Sequence, residues 1–309
     1  MKNLLLFGAS SPSGAALRIQ AQSRCLTVAG RHRPPGCPEE RFLFCDLAHP
    51  QATLGAAADQ AVLVSFAPIW ELAPFLARQV QQRPATLAAL EGVIACSSSS
   101  VITKRFAANA YDRRLVQQLS EAQRSLQQTC RLLGVPLRIL APTMIYGQVG
   151  SFRDRNLSVL AGLMRRAPLL PMPAHSGLRQ PIHASQLAAV ALHLADRLSP
   201  FPPPADATEE NGTEGSGVLL ALGGDESLPY DRMLERLQQA MPDGDPGRNC
   251  RLVRLPTRLM LGLAAPLLPI NPKLFEAVLR IGADLAGFTP CHRILGDAPR
   301  RFPLKPLAL

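Results

Sequence analysis

The stretch Leu4-Leu-Leu-Phe-Gly8-Ala-Ser-Ser-Pro-Ser-Gly14 decides how this chain folds. Its four consecutive apolar residues suit a strand buried on both faces of a parallel sheet, and a helical segment starts near Ala15. Between them lies a G-x-x-G-x-x-G turn whose middle position is Ser11. In such a turn the first glycine makes the bend, the middle one admits a pyrophosphate, and the last lets the helix pack closely with its N-terminal amides facing the anion. A side chain at Ser11 narrows that approach, and an ordinary strand-to-helix turn is the competing reading. Gly8, Ser10, Ser11 and Gly14 are the candidate cofactor contacts of this turn.

Outward from the turn, short apolar runs alternate with longer periodic ones, as expected of parallel strands joined by crossover helices. The strand candidates are residues 4–7, 25–29, 41–45, 61–66, 92–96 and 136–140. The clearest helix carries Leu115, Leu119, Ala122, Leu126, Cys130 and Leu133 on one stripe and ends at Gly134, which suits a left-handed C-terminal cap. About 20 residues beyond the turn, an acid would bind the ribose diol of NAD, whereas an arginine would accommodate a 2′-phosphate. The sequence there is Ala29-Gly-Arg31-His-Arg33, with no acid. Arg31 therefore tilts the expected cofactor from NAD toward NADP, with Arg33 as an alternate and a solvated loop arginine as the competing reading. Asp46, in Cys45-Asp-Leu, could accept from an adenine amino group or simply cap a turn, and Ala67, just past the fourth strand, completes the cofactor candidates.

The texture changes after about residue 168, since 19 of the 29 prolines lie from Pro168 onward. Residues 184–198, 230–241 and 273–288 read as helices, and 217–222 as a strand that returns to the first sheet. Residues 199–216 form a Pro, Gly and acid stretch that reads as a surface insertion. There is no internal repeat.

Composition narrows the classes. With 47% hydrophobic and 18% charged residues in 309, the chain is long enough for a large core, and disorder is excluded. The net charge of +10 comes almost wholly from arginine and contains no basic run interleaved with aromatics, so nucleic acid is not an expected partner. The seven cysteines are odd in number and include no C-x-x-C pair, which argues against a disulfide framework or zinc site and for a reducing, cytoplasmic location. In residues 1–7 the apolar run is only Leu4 to Phe7, too short for a signal peptide, and residues 255–270 are broken by Pro256, Pro266 and Pro269, so no transmembrane segment is expected, although the latter stretch could touch a membrane interface. The six histidines show no H-E-x-x-H spacing, so no metal site is expected.

The chain resembles the short-chain dehydrogenase/reductase superfamily, specifically its extended and atypical epimerase/dehydratase members. Besides the glycine turn and Cys45-Asp-Leu, the resemblance rests on Ile94-Ala-Cys-Ser-Ser-Ser-Ser-Val101, Pro142-Thr-Met-Ile-Tyr-Gly147, Arg179-Gln-Pro-Ile-His183, Gly223-Gly-Asp-Glu226 and Gly296-Asp-Ala-Pro-Arg-Arg-Phe-Pro303. It implies an α/β fold: a Rossmann doubly wound parallel sheet with a smaller C-terminal substrate domain. Residues 1–150 would form the NAD(P)-binding domain and 151–309 mainly the substrate domain, with 184–222 returning to the sheet. It also implies a small-molecule substrate, a nucleotide sugar among the classes, held by Asn156, Arg179 and His183, and it allows a homo-oligomer.

Enzymes of this kind use a Ser or Thr after the fifth strand, a Tyr as acid/base, and a Lys four residues later that lowers the tyrosine pKa. Ser98 matches the hydroxyl by its distance from Val101. The pair does not carry over. Four residues after Tyr111 stands Leu115, and alignment through Ala122-Gln123 places Leu115 and Leu119 at the two positions. Ala141 also replaces the usual arginine, and Ser185-Gln186 replace the usual acids. Two expectations remain open: an oxidoreductase or epimerase in which Ser98 and Tyr111 serve the reacting oxygen, and a cofactor-binding scaffold or sensor subunit that has lost the dyad.

Overall fold

The computed structural model describes residues 2–107, 109–198, 218–266, 278 and 280–304. Six strands, β1 (Asn3–Phe7), β2 (Leu26–Gly30), β3 (Phe42–Phe44), β4 (Ala61–Ser65), β5 (Gly92–Cys96) and β6 (Leu137–Pro142), join two later ones, Leu219–Gly223 and Thr289–Pro290, in one eight-stranded sheet. From one edge the order is Thr289–Pro290, Leu219–Gly223, β6, β5, β4, β1, β2, β3, and every pairing is parallel. The chain winds outward from β1 to β3, then returns to β1's other side at β4. That reversal opens a crevice at the carboxyl ends of β1 and β4.

Strands buried on both faces need continuous apolar runs, and β1 and β4 supply them: Leu4, Leu5, Leu6, Phe7, Val62, Leu63 and Val64 are all buried. One face is covered by α2 (Ile69–Gln82) and by α4 (Ala110–Leu133), which follows the single turn α3 (Ser100–Thr103); α2 and α4 pack on Leu5, Phe7, Leu63 and Val93. The other is covered by α1 (Pro12–Gln20) and α6 (Ala184–Asp196), which pack on Leu4, Leu6, Val62 and Ile94. Each such buried side chain contributes roughly 1.5–3 kcal/mol over its exposed state. Helix α4 is delimited as its sequence requires: the Asn109 side chain accepts from Asp112 N at 2.7 Å, and Gly134 takes φ +68°.

The crossovers from β2 to β3 and from β3 to β4 contain only single 3₁₀ turns, Glu39–Arg41 and Gly55–Ala58, where those after β1, β4 and β5 carry α-helices. A separate, smaller core gathers Tyr146, Leu157, Met164, Met172, Met233, Leu237 and Phe302 from α5 (Leu157–Arg166), α7 (Tyr230–Gln239) and neighbouring loops. Helix α6 and the strand Leu219–Gly223 belong to the large sheet instead. The expected insertion at 199–216 lies outside the described residues, as does most of the expected helix at 273–288. Its described members Val278, Arg280 and Ile281 are helical, and the helix has ended by Gly282. Within 255–270, the helix Thr257–Ala264 follows Pro256. No helix among the described residues is long and apolar enough to cross a membrane.

Candidate functional site

The glycine turn occupies the crevice between β1 and β4. Gly8 has φ +75°, and a Cβ there would stand 2.5 Å from Ala67 N and Phe66 C, so the turn lies directly against the start of the β4–α2 link. A Cβ on Gly14 would stand 2.2 Å from Gly8 O, which is the close helix–strand approach that position serves. Ser11 does not project across the crevice. Its hydroxyl donates to Gly8 O at 2.7 Å and accepts from Gly14 N at 3.0 Å, capping α1.

A cavity of about 450 Å³ opens from this turn. Of the residues singled out in the sequence, Gly8, Ser10, Ser11, Arg31, Asp46 and Ala67 line it, while Gly14 is buried behind the turn. Asp46 serves its own loop as well, accepting from Ala48 N at 3.1 Å. Arg33 does not line the cavity and stands 3.9 Å from Glu39 in an exposed pair. Three polar lining residues were not anticipated: His32, Glu71 on the first turn of α2, and Arg155 from the chain that follows β6. The volume falls in the range of ligand pockets, and the donor set of Arg31, His32 and Arg155 against the acceptors Asp46 and Glu71 suits a phosphorylated nucleoside.

The expected catalytic groups lie beyond this cavity. Ser98 closes a local turn, accepting from Ser100 N at 3.1 Å with its hydroxyl 3.1 Å from Ser100 Oγ. Its neighbour Ser97 accepts from Gln123 Nε2 at 2.7 Å, tying the loop after β5 to α4. Tyr111 sits on the first turn of α4 with its ring 55% exposed. Leu119 is fully buried in the α2–α4 core, and Leu115 packs against that core. Lys104 is engaged: its Nζ is 2.6 Å from the Asp112 carboxylate, which also binds Arg280 at 2.8 Å and Asn109 at 2.9 Å. Burial acts to raise the Asp112 pKa, but the hydrogen bonds of Lys104 and Asn109 and the charges of Lys104 and Arg280 outweigh it and hold the carboxyl below its ordinary value.

The three substrate candidates have structural partners. Arg179 departs most from expectation. It is buried and donates to the carbonyls of Leu178, Ala283 and Arg280 at 2.8, 2.7 and 2.6 Å while lying 5.2 Å over the Tyr230 ring. A guanidinium so engaged has no free fork for a diphosphate. His183 caps α6: its Nδ1 accepts from Ser185 N at 3.2 Å while Gln186 Oε1 accepts from His183 N at 3.1 Å. Burial holds its imidazole below the usual histidine range, and its ring packs edge-on against Tyr146. Asn156 is exposed and donates to Ile145 O at 2.9 Å. Its neighbour Asp154, unmarked in the sequence reading, is the buried anchor of this corner: it accepts from the amides of Gly147, Asn156, Leu157 and Ser158. No group of three or more His, Cys, Asp or Glu side chains among the described residues is placed to hold a metal ion.

No protein-family model and no curated protein matches the chain. Solved structures do. A nucleoside-diphosphate-sugar epimerase from Staphylococcus aureus is 14% identical, with 97% of each chain covered and a TM-score of 0.57. A UDP-glucuronic acid 4-epimerase from Bacillus cereus, solved with NAD, is 14% identical over 82% of this chain and 87% of its own, with a TM-score of 0.54. An NADPH-dependent quinone oxidoreductase from Escherichia coli, solved with NADPH, is 15% identical over 96% and 95%, with a TM-score of 0.59. The eight-stranded parallel sheet with its crevice at the glycine turn is thus the Rossmann-type fold of the NAD(P)-dependent epimerases and reductases that the sequence motifs resemble.

Proposed function

We propose that the chain binds a nicotinamide dinucleotide, NADP(H) in preference to NAD(H), and acts as an epimerase/dehydratase-like oxidoreductase on a carbonyl or alcohol, with nucleotide sugars as the substrate class. The observation that carries the reading is the cavity at the β1–β4 reversal, where the Gly8 turn, the ends of β2 and β3, and Ala67 meet around one volume. Gly8 and Ala67 would hold the dinucleotide against the sheet, Asp46 and Glu71 would accept from hydroxyl or amino groups, and Arg31 would meet a 2′-phosphate. When bound, the nicotinamide supplies a hydride donor or acceptor. The chain's own contribution at the reacting oxygen falls to Ser98 as a hydrogen-bonding orienter and Tyr111 as the proton carrier. Neither has a lysine placed four residues on, so turnover is expected to be slow.

Tyr111→Phe tests this assignment. It should lower the rate by about 10²-fold or more with cofactor affinity unchanged, and an unchanged rate would remove Tyr111 from the chemistry. A second reading, a cytoplasmic cofactor-binding scaffold or sensor, is favoured by the burial of Leu115 and Leu119 where an acid/base pair would stand. Dinucleotide binding without turnover across a screen of nucleotide sugars, followed at the nicotinamide absorbance, would select it.

A further inference from the structure

Helix α1 begins with few anion donors. Position N1 is Pro12, which has no N–H. The Gly14 amide is bound by the Ser11 hydroxyl at 3.0 Å, and the Ala15 amide by Ser11 O at 2.9 Å. Of the first turn, only the Ser13 amide is left without a partner among the described residues. The helix terminus, one of the usual sources of pyrophosphate stabilisation, is therefore reduced to a single free amide.

Arg155 lines the same cavity as the turn residues Gly8 to Ser11. Its guanidinium has no hydrogen-bond or ion-pair partner among the described residues, unlike Arg179, whose two terminal nitrogens both bind backbone carbonyls. The backbone on either side of it is fixed. Asp154 accepts from four amides of its own corner, and Asn156 is tied to Ile145 O at 2.9 Å. The adjoining hairpin, Gln148–Val149 with Phe152–Arg153, packs on α1 itself. A long cationic side chain is thus carried on a braced corner to a cavity whose own helix terminus offers a single free amide. The acids Asp46 and Glu71 also line the cavity, at the β3 end and on α2, where they suit hydroxyl or amino donors of a nucleoside.

We infer that Arg155 is the pyrophosphate-binding residue of this site, supplying from the chain beyond β6 the charged donors that Pro12 and Ser11 withhold from the α1 terminus. The inference rests on the dinucleotide reading above and adds a residue to it. A guanidinium fork meets two phosphate oxygens at once, so the contact would serve the diphosphate of NADH, NADPH and ADP alike and contribute nothing to adenosine.

Calorimetric titration of the wild-type chain and of Arg155→Ala with NADPH, NADH, ADP and adenosine separates the possibilities, with Arg155→Gln as a second variant that keeps side-chain length. Both variants should melt with the wild type, because Arg155 is exposed. Each should bind NADPH, NADH and ADP at least tenfold more weakly while adenosine affinity is unchanged. Equal affinity of wild type and variants for the diphosphates would overturn the inference. Loss confined to NADPH would overturn it by moving Arg155 to the 2′-phosphate, and equal loss on adenosine would reduce it to packing. A wild-type chain that binds none of the four would instead overturn the dinucleotide reading itself, and the role of Arg155 with it.

Discussion

At Gly8 the backbone geometry and the ligand site coincide. Its φ of +75° and the 2.5 Å gap that a Cβ would leave to Ala67 N mean that any side chain must push the turn away from β4. Gly8→Val is expected to cost roughly 1–3 kcal/mol in local strain and to abolish dinucleotide binding; equilibrium unfolding and calorimetry read the two effects separately. Binding that survives the substitution would show that the ligand does not use this turn. Arg31 makes the complementary case, an exposed guanidinium lining the cavity with no acid in the adjoining stretch Ala29-Gly-Arg31-His-Arg33. Arg31→Ala should weaken NADPH by ~1.5–3 kcal/mol while leaving NADH nearly unchanged. Equal losses for both would make Arg31 a source of general charge rather than a 2′-phosphate contact.

Among the elements, α4 holds the greatest departure from the expected chemistry, and its N-terminus holds an ion cluster in place of a dyad. Asp112 is nearly buried between Lys104 and Arg280, and through Arg280 it joins α4 to the C-terminal part of the chain. Because its folded pKa lies below the unfolded value, near ~3.9, the stability it confers is full above that value and lost as pH falls through the folded one. Asp112→Asn should therefore cost about 3 kcal/mol at neutral pH and less in acid, once the native carboxyl is protonated, as urea unfolding at neutral and at acid pH would register. The same difference at both would mean that the charge is irrelevant.

The elements were legible where one strand or helix carries its own signal. Continuous apolar runs marked β1, β4 and β5, and the 3.6-residue stripe and Gly134 marked α4. What escaped depends on groups distant in sequence. Arg179 reads as a ligand fork until the carbonyls of Arg280 and Ala283 are brought to it. His183 reads as a substrate group until Ser185 and Gln186 turn it into a helix cap. Arg155, Glu71 and His32 carry no local pattern, and only the sheet's reversal brings them to one cavity.

In the whole molecule a large doubly wound sheet adjoins a smaller core around Tyr146 and Phe302, with a crevice at the sheet's reversal and leucines at positions 115 and 119 of α4. The central proposal is that this crevice holds a dinucleotide although α4 carries no Tyr-x-x-x-Lys pair. Titration of the purified chain with NADPH and with NADH, followed by calorimetry, tests that claim most directly. The account predicts saturable one-to-one binding of both, tighter for NADPH, and abolished by Gly8→Val. Heats no larger than dilution for both dinucleotides, from a chain that unfolds cooperatively, would contradict it.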